Sequence, residues 1–165
     1  MCVTLTANKE GVDLTNLARR IAGALDPKLG SGHLDDDSLY LYESVFGVDE
    51  TMERIEKILA EKSIPVFARI DHGKNAREAG LEMPPSKVVI FGSPKVGTNL
   101  MLENPGIATE LPLRIAVWED KEGSTWISFP HMEKIARAYG VENLPPVAPI
   151  RQLLRNIASR AANVY

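Results

Sequence analysis

The sequence predicts an α+β fold in which a largely antiparallel sheet carries helices on one face. The predicted elements run in the order strand, helix, four strands, helix, a β-α-β4-α core with an extra helix at each terminus. Successive strands without helical crossovers favour antiparallel pairing. A length of 165 residues with 44% hydrophobic content suits one globular domain with a sizeable core.

Residues 1–38 are predicted to form an N-terminal helical extension. The segment 12–25 has apolar side chains at spacings of three and four, typical of an amphipathic helix, at Leu14, Leu17, Ile21 and Leu25. Residues 30–37, GSGHLDDD, carry little apolar surface. They predict an exposed loop before the main domain.

The core domain is predicted to span residues 39–140. Residues 39–46 favour a strand, and the following helix has Asp49 as its cap. Further strands are predicted at 64–70, 87–91, 113–118 and 124–129, the last two forming a hairpin around the turn DKEG. Ser93 and Pro94 are favoured at a helix start, which predicts a short helix over 94–103. A helix over 131–139, closed by Gly140, ends the core.

Residues 141–165 are predicted to be a C-terminal helical extension. After the proline-rich joint 144–149, one face of the segment 150–161 is apolar, with Ile150, Leu153, Leu154, Ile157 and Ala161. The arginines of this segment lie mostly on its other faces. The pattern indicates a docking or partner-facing helix.

The net charge and the composition limit the classes of partner and the cellular compartment that we expect. A formal net charge of −3 supplies no positive field toward phosphates, so we expect neither nucleic acid nor a membrane as partner. We find no signal-peptide pattern and no run of about 18 apolar residues. The single cysteine, Cys2, excludes an intramolecular disulfide and suits a reducing compartment. The expected location is therefore cytoplasmic.

Three sequence blocks resemble the signature blocks of a known family. They are IPVFARIDHGKNAREAG at 64–80, VVIFGSPKVGT at 88–98 and ELPLRIAVWED at 110–120. In this order, and with similar gaps, they resemble the bacterial and archaeal family called domain of unknown function 302, over residues 39–139. The resemblance implies a compact α+β fold and a homodimer, and it implies no agreed reaction. The family usually has asparagine where this chain has Ser93.

The turn FGSPKVGT at 91–98 and His72 form the candidate ligand-binding site. Backbone N–H groups at the start of a helix, the helix dipole and a lysine can hold a phosphate or carboxylate. The candidate residues are His72, Gly92, Ser93, Lys95, Gly97 and Thr98. No lysine precedes Thr98, so P-loop nucleotide hydrolysis is not supported. The alternative is a purely structural turn, which needs the same glycines and proline.

His72 has two interpretations. Strand alternation places it on the covered face with Ala68 and Ile70, and places Asp71 on the opposite face. In an apolar pocket His72 would be a ligand or an acid/base group. Alternatively, it is a hydrogen-bonded residue at a strand end. The sequence also leaves haem open as a cofactor, because one histidine in an apolar pocket suffices for axial ligation.

No other residues form a convincing catalytic or metal-binding set. His33 and His131 lie far apart, and a solvated loop explains the acidic run at 35–37. Trp118 and Trp126 share a face in one hairpin register, where core or dimer packing is favoured over an aromatic ligand platform. The leading hypothesis is a domain that binds a small organic anion or flat cofactor. The alternatives are an enzyme acting on a small anionic substrate, with His72 as acid/base, and a structural or assembly module.

Overall fold

A six-stranded antiparallel sheet, in the order β1-β2-β6-β5-β4-β3, forms the centre of the molecule. The computed structural model describes residues 33–35 and 39–164, so the predicted helix over 12–25 lies outside the described residues. The strands are β1 (His33–Asp35), β2 (Leu39–Ser44), β3 (Val66–Asp71), β4 (Ser86–Phe91), β5 (Leu113–Glu119) and β6 (Thr125–Pro130). The helices are α1 (Val48–Glu61), α2 (His72–Glu78), α3 (Pro94–Glu103), α4 (Met132–Ala138) and α5 (Val147–Ala162), with a 3₁₀ helix at Pro105–Glu110. The α+β class and the antiparallel sheet are confirmed.

One face of the sheet is buried beneath helices. Along β4, β5 and β6, alternate side chains are fully or almost fully buried, and these are Val89, Phe91, Ile115, Val117, Ile127 and Phe129. Helix α1 packs on β4 and β5, and α5 packs on β2 and β6. Because side chains alternate across a strand, the intervening residues form a second face. That second face carries Trp118 and Trp126.

Helix α5 is part of the helical layer. It packs along α1 and contributes Leu154, Ile157, Ala158 and Ala161 to the hydrophobic core. Arg54 of α1 donates hydrogen bonds to the carbonyl oxygens of Ala161 and Arg160 at 2.9 and 3.1 Å. From the apolar stripe we predicted a docking or partner-facing helix, and the structure shows the first of these alternatives. In the structure that stripe faces the core of its own chain, although the division of the chain into three regions itself stays a prediction.

A β-bulge in β3 reverses the predicted alternation of that strand. The pairing of β3 with β4 shifts between residues 66 and 68, so Arg69 lies opposite the buried Val89. Arg69 therefore faces α1, where it pairs with Glu56 at 2.8 Å. Ala68 and Ile70 were predicted on the covered face, and that prediction was wrong. The extra residue of a bulge exchanges the two faces beyond it.

Two local predictions also needed correction, and one short helix was missed. Residues 33–35, expected in a loop, form β1 because they pair with β2. Gly47 rather than Asp49 is the N-cap of α1, and Asp49 lies in the first turn. The short helix α2 was missed, although Asp71 caps it by accepting a hydrogen bond from the Lys74 backbone N–H at 2.7 Å. A polar side chain that competes for backbone N–H groups ends a strand as readily as it continues one.

Candidate functional site

A cavity of about 700 Å³ lies between the start of α3, the chain before β5 and the start of α5. It is partly open to solvent, and among its lining side chains only those of Ser93 and Thr98 are polar. The walls are otherwise formed by apolar residues, including Phe67, Val96, Leu100, Met101, Leu111, Ile150 and Leu153. Phe67 is 51% exposed, which is unusual for so large an apolar side chain.

The turn between β4 and α3 shapes the floor of this cavity. The Gly92 N–H donates to the carbonyl oxygen of Pro65 at 3.1 Å, which holds the turn against the start of β3. A Cβ atom at Gly92 would lie 3.7 Å from the Phe67 ring, and one at Gly97 would lie 3.7 Å from Leu111 Cδ1. Both positions therefore border the space without a side chain filling it. The peptide bond between Leu111 and Pro112, on the facing wall, is cis.

The start of α3 gives the cavity its one polar border. Ser93 is the N-cap residue, but its side chain makes no capping hydrogen bond. Pro94 has no N–H, and the Gly97 N–H donates to the carbonyl oxygen of Ser93 at 2.9 Å. The amides of Lys95 and Val96 belong to the first turn, where intrahelical acceptors are lacking. The dipole of a ten-residue helix favours an anion at this position.

The structure brings together four of the six predicted site residues. Gly92, Ser93, Gly97 and Thr98 line the cavity. Lys95 is exposed in the first turn of α3 and lies outside the lining. Its ammonium group is therefore not part of the wall.

His72 is not brought to this cavity. It is the first residue of α2 and is exposed to solvent, which contradicts the predicted place on the covered face. The turn is tied to Pro65 at one end of β3, and His72 follows the other end. The extended strand between Pro65 and His72 separates these two residues by about 20 Å. A small substrate could not touch both His72 and the turn.

Sequence reasoning missed the wall formed by the start of α5. Pro145, Pro146 and Pro149 line the cavity together with Ile150 and Leu153. The proline-rich stretch 144–149 was interpreted as a joint before the C-terminal helix. The cluster of prolines beside two apolar helix residues was the available signal, but local sequence does not say which surface such a cluster faces.

A second group of polar side chains connects β2 with α4 and α5. The Tyr40 hydroxyl donates to Glu133 Oε1 at 3.4 Å and accepts a hydrogen bond from the Arg155 guanidinium. The Tyr40 and His131 rings lie 3.9 Å apart between centroids. Burial raises the pKa of the neighbouring Tyr42 above its ordinary value of 10.0, against the lowering influence of Arg155. These contacts join elements of the fold, and we assign them a structural role.

The tryptophans lie on the sheet face that points away from the buried core. Trp118 and Trp126 are directly paired in the β5–β6 hairpin, so their side chains lie on the same face of the sheet. The sequence predicted a shared face for only one register of the hairpin. Their ring centroids are 6.3 Å apart. The indole N–H of Trp126 donates to Asp120 Oδ2 at 2.7 Å, and that of Trp118 donates to Ser128 Oγ at 3.3 Å. Both side chains remain partly exposed.

Within residues 33–35 and 39–164, no group of three or more His, Cys, Asp or Glu side chains could hold a metal ion. None of the described helices is both long enough and apolar enough to cross a lipid bilayer.

Comparison with known proteins supplies a family and a fold. The family model named "Domain of unknown function DUF302" matches residues 40–161, which includes α5. The structure resembles the "Crystal structure of uncharacterized conserved protein DUF302 from Bacillus stearothermophilus", with a TM-score of 0.63 and 23% sequence identity. The alignment covers 74% of this chain and 97% of the other. At that identity the likeness concerns the fold alone.

Curated relatives are found in Brucella. "Fluoride-specific ion channel FluC 1" of Brucella suis biovar 1 (strain 1330) is 42% identical over 93 residues, which are 56% of this chain and 37% of the relative. The protein of the same name in Brucella abortus biovar 1 (strain 9-941) is also 42% identical over 93 residues, or 34% of its length. The aligned part of the chain thus spans little more than a third of the relatives that it matches.

Proposed function

The chain belongs to the DUF302 family, and we propose that it is a non-enzymatic domain that binds a small organic anion with an apolar body. The ligand would occupy the cavity between α3 and α5. One observation carries the proposal, namely an apolar cavity of about 700 Å³ whose polar border is the uncapped start of a helix. Cavities of this size, apolar with a few placed polar groups, are typical of small-molecule sites.

The walls favour a ligand with an apolar body. Each buried CH₂ group contributes about 0.8 kcal/mol, so an alkyl or alicyclic body gains affinity with every carbon that the cavity accepts. No charged side chain lines the cavity. A ligand charged along its whole length would lose its hydration there without gaining a partner.

The start of α3 favours an anionic group at one end of the ligand. The amides of Lys95 and Val96 can donate to a carboxylate, and the helix dipole adds a favourable contribution. The exposed ammonium group of Lys95 stands in the same turn. An organic anion is preferred to haem, because the haem hypothesis needed a histidine in the pocket and His72 lies elsewhere.

Direct binding measurements test the proposal. Linear carboxylates from hexanoate to tetradecanoate and the matching alcohols would be titrated calorimetrically into the full chain. We expect affinity to rise about fourfold per added CH₂ until the cavity is filled. Each carboxylate should bind more tightly than its alcohol. Absence of binding by every probe to folded protein would overturn the proposal.

A matched pair of substitutions locates the binding site. Gly97→Leu places a side chain into the cavity beside Leu111, whereas Asn99→Leu adds the same side chain at an exposed position of α3 outside the lining. We expect Gly97→Leu to shorten the longest carboxylate that binds and Asn99→Leu to leave the series unchanged. Equal binding by both variants would place the site elsewhere.

The names of the Brucella relatives support a second candidate function, linked to fluoride. The first-turn amides of α3 would then bind the fluoride ion itself instead of an organic anion. Thermal unfolding in sodium fluoride and in sodium chloride separates the two candidates. Stabilisation specific to fluoride, with no binding of carboxylates, would favour this second function over the first.

The expectations of a homodimer and a cytoplasmic location remain part of the proposal. The family resemblance supports the homodimer, and the single cysteine supports the reducing compartment. Light scattering coupled to size-exclusion chromatography measures the mass in solution, and a monomeric mass at micromolar concentration would contradict the dimer.

A further inference from the structure

The β-bulge in β3 turns the ring of Phe67 toward the cavity. Val66 pairs with Phe91. The next pair is formed by Ala68 and Ile90, which leaves Phe67 as the extra residue of the bulge. In a regular strand Phe67 would point away from the face that Val66 uses. Here Val66 packs against the helix-covered core, and Phe67 lines the cavity on that same side. Bulges often re-aim a side chain in this way next to a functional site.

The re-aimed ring keeps an accessible surface beside Gly92. Phe67 is 51% exposed. A Cβ atom at Gly92 would lie 3.7 Å from Phe67 Cε2 and 3.8 Å from Pro112 Cβ, which is ordinary van der Waals distance. Because glycine has no side chain, no atom of Gly92 occupies that point. A ligand atom placed there would contact the Phe67 ring and the Pro112 ring together.

Proline rings form a large part of the remaining wall. Five of the 11 prolines of the chain line the cavity, and these are Pro94, Pro112, Pro145, Pro146 and Pro149. Proline has no side-chain rotamer freedom to lose when a ligand binds, so this wall is pre-organised. Proline-rich segments and aromatic surfaces recognise each other in proteins with the same low entropic cost. A wall of fixed proline rings therefore suits a rigid aromatic ring.

The chemistry of the wall distinguishes an aromatic ring from a saturated one. Met101 also lines the cavity, and a thioether sulfur makes favourable contacts with an aromatic ring at about 5 Å. Aromatic pairs gain stability beyond the area that they bury, because the ring quadrupoles attract each other in offset or edge-to-face arrangements. A saturated ring gains from burial alone. Phe67 and Met101 therefore favour an aryl group in the ligand.

The volume of the cavity is sufficient for such a ligand. A closed apolar cavity of about 150 Å³ holds benzene. The cavity of this protein has a volume of about 700 Å³ and is partly open to solvent. An aromatic ring, a short arm and a carboxylate consequently fit inside it with space for a second fused ring.

We propose that the cavity selects aromatic carboxylates and that Phe67 determines this specificity by packing against the ring of the ligand. The proposal rests on the proposed function, since it places an organic anion in the same cavity. It adds the chemical class of the apolar body, which is an aryl ring rather than an alkyl or alicyclic group. It also assigns a purpose to the β-bulge, which brings Phe67 to the cavity.

Two acids that differ only in the ring test the class of ligand. Phenylacetate and cyclohexylacetate have the same number of carbon atoms and the same charge at neutral pH, and the saturated ring is the more hydrophobic of the two. Burial alone would therefore favour cyclohexylacetate. In calorimetric titrations of the full chain we expect phenylacetate to bind about two- to tenfold more tightly, as one aromatic contact provides. Equal affinities, or tighter binding of cyclohexylacetate, would overturn the specificity that we propose.

Substitution of Phe67 tests the residue itself. Phe67→Leu removes the ring at a half-exposed position and keeps an apolar side chain, whereas Phe67→Tyr keeps the ring. Phe46→Leu is the matched control, because Phe46 is partly exposed and lies outside the cavity lining. We expect Phe67→Leu to lower the ratio of the two affinities toward one, and we expect Phe67→Tyr and Phe46→Leu to retain the preference for phenylacetate. An unchanged ratio in folded Phe67→Leu would refute the role of Phe67.

The same titrations separate this proposal from the function on which it rests. If the linear carboxylates bind and the two ring acids bind equally well, the proposed function stands and the preference for an aryl ring is wrong. If none of these acids binds to the folded protein, the proposed function and the aryl specificity are both wrong.

Discussion

Asp120 accepts a hydrogen bond from the indole Nε1 of Trp126 at 2.7 Å, and the same carboxylate accepts the backbone N–H groups of Glu122 and Ser124 at 3.0 and 2.8 Å. Asp120 thereby holds the β5–β6 turn and the indole ring of Trp126. Burial acts to raise the pKa of Asp120, but these hydrogen bonds outweigh it and hold the pKa below the ordinary value of 3.8.

Asp120→Asn should weaken the hairpin in a pH-dependent manner. Because the folded-state pKa is lowered, the stabilisation by the carboxylate is fully present above the unfolded-state pKa and is lost as the pH falls through the folded-state value. At pH 7 we expect the free energy of unfolding to decrease by about 1 kcal/mol. The difference should shrink below about pH 4. Urea unfolding at several pH values measures it, and a difference that does not vary with pH would contradict the prediction.

Ile157→Ala should destabilise the whole domain, because Ile157 is fully buried in α5. We expect a loss of about 2–5 kcal/mol in the free energy of unfolding, measured by urea denaturation. Leu102→Ala is the control, since Leu102 is 78% exposed on α3 and should change stability little. A small effect of Ile157→Ala on the free energy of unfolding would indicate that α5 is an appended helix rather than part of the core.

Arg54→Lys should be destabilising although it preserves the charge. The Arg54 guanidinium donates to two carbonyl oxygens at the end of α5 and lies 4.2 Å from the centre of the Phe46 ring. An ammonium group cannot reproduce this planar arrangement. We expect a loss of about 1–2 kcal/mol in unfolding free energy. Arg77→Lys, on the exposed helix α2, is a suitable control. Equal stability of both variants would refute the assigned role.

His72→Ala should leave both the melting temperature and carboxylate binding unchanged. His72 is exposed at the start of α2 and lies outside the cavity lining. Surface substitutions of this kind usually stay within about 0.5 kcal/mol. Thermal unfolding and calorimetry of the same variant check the two parts. Loss of binding with unchanged stability would restore His72 to the ligand site.

The candidate site was only partly accessible from sequence. The spacing of Gly92, Ser93, Pro94 and Gly97 predicted a strand, a tight turn and a helix start, and α3 has the predicted bounds because these preferences are local. The same reasoning placed His72 on the covered face because it assumed an unbroken strand. The β-bulge in β3 and the capping of α2 by Asp71 each interrupt the regular strand at one residue. The periodicity of apolar residues does not reveal such an interruption.

The sequence by itself determined the family, the largely antiparallel pairing of the strands and the hairpin that carries Trp118 and Trp126, because three ordered blocks and the alternation of apolar residues are properties of the chain. The tertiary structure alone decided that Leu153 of α5 and Val96 of α3 line the same cavity, and that Arg69 rather than Ile70 faces the helices. Such contacts join residues far apart in the chain. Their geometry depends on how whole elements pack, which no local pattern of side chains specifies.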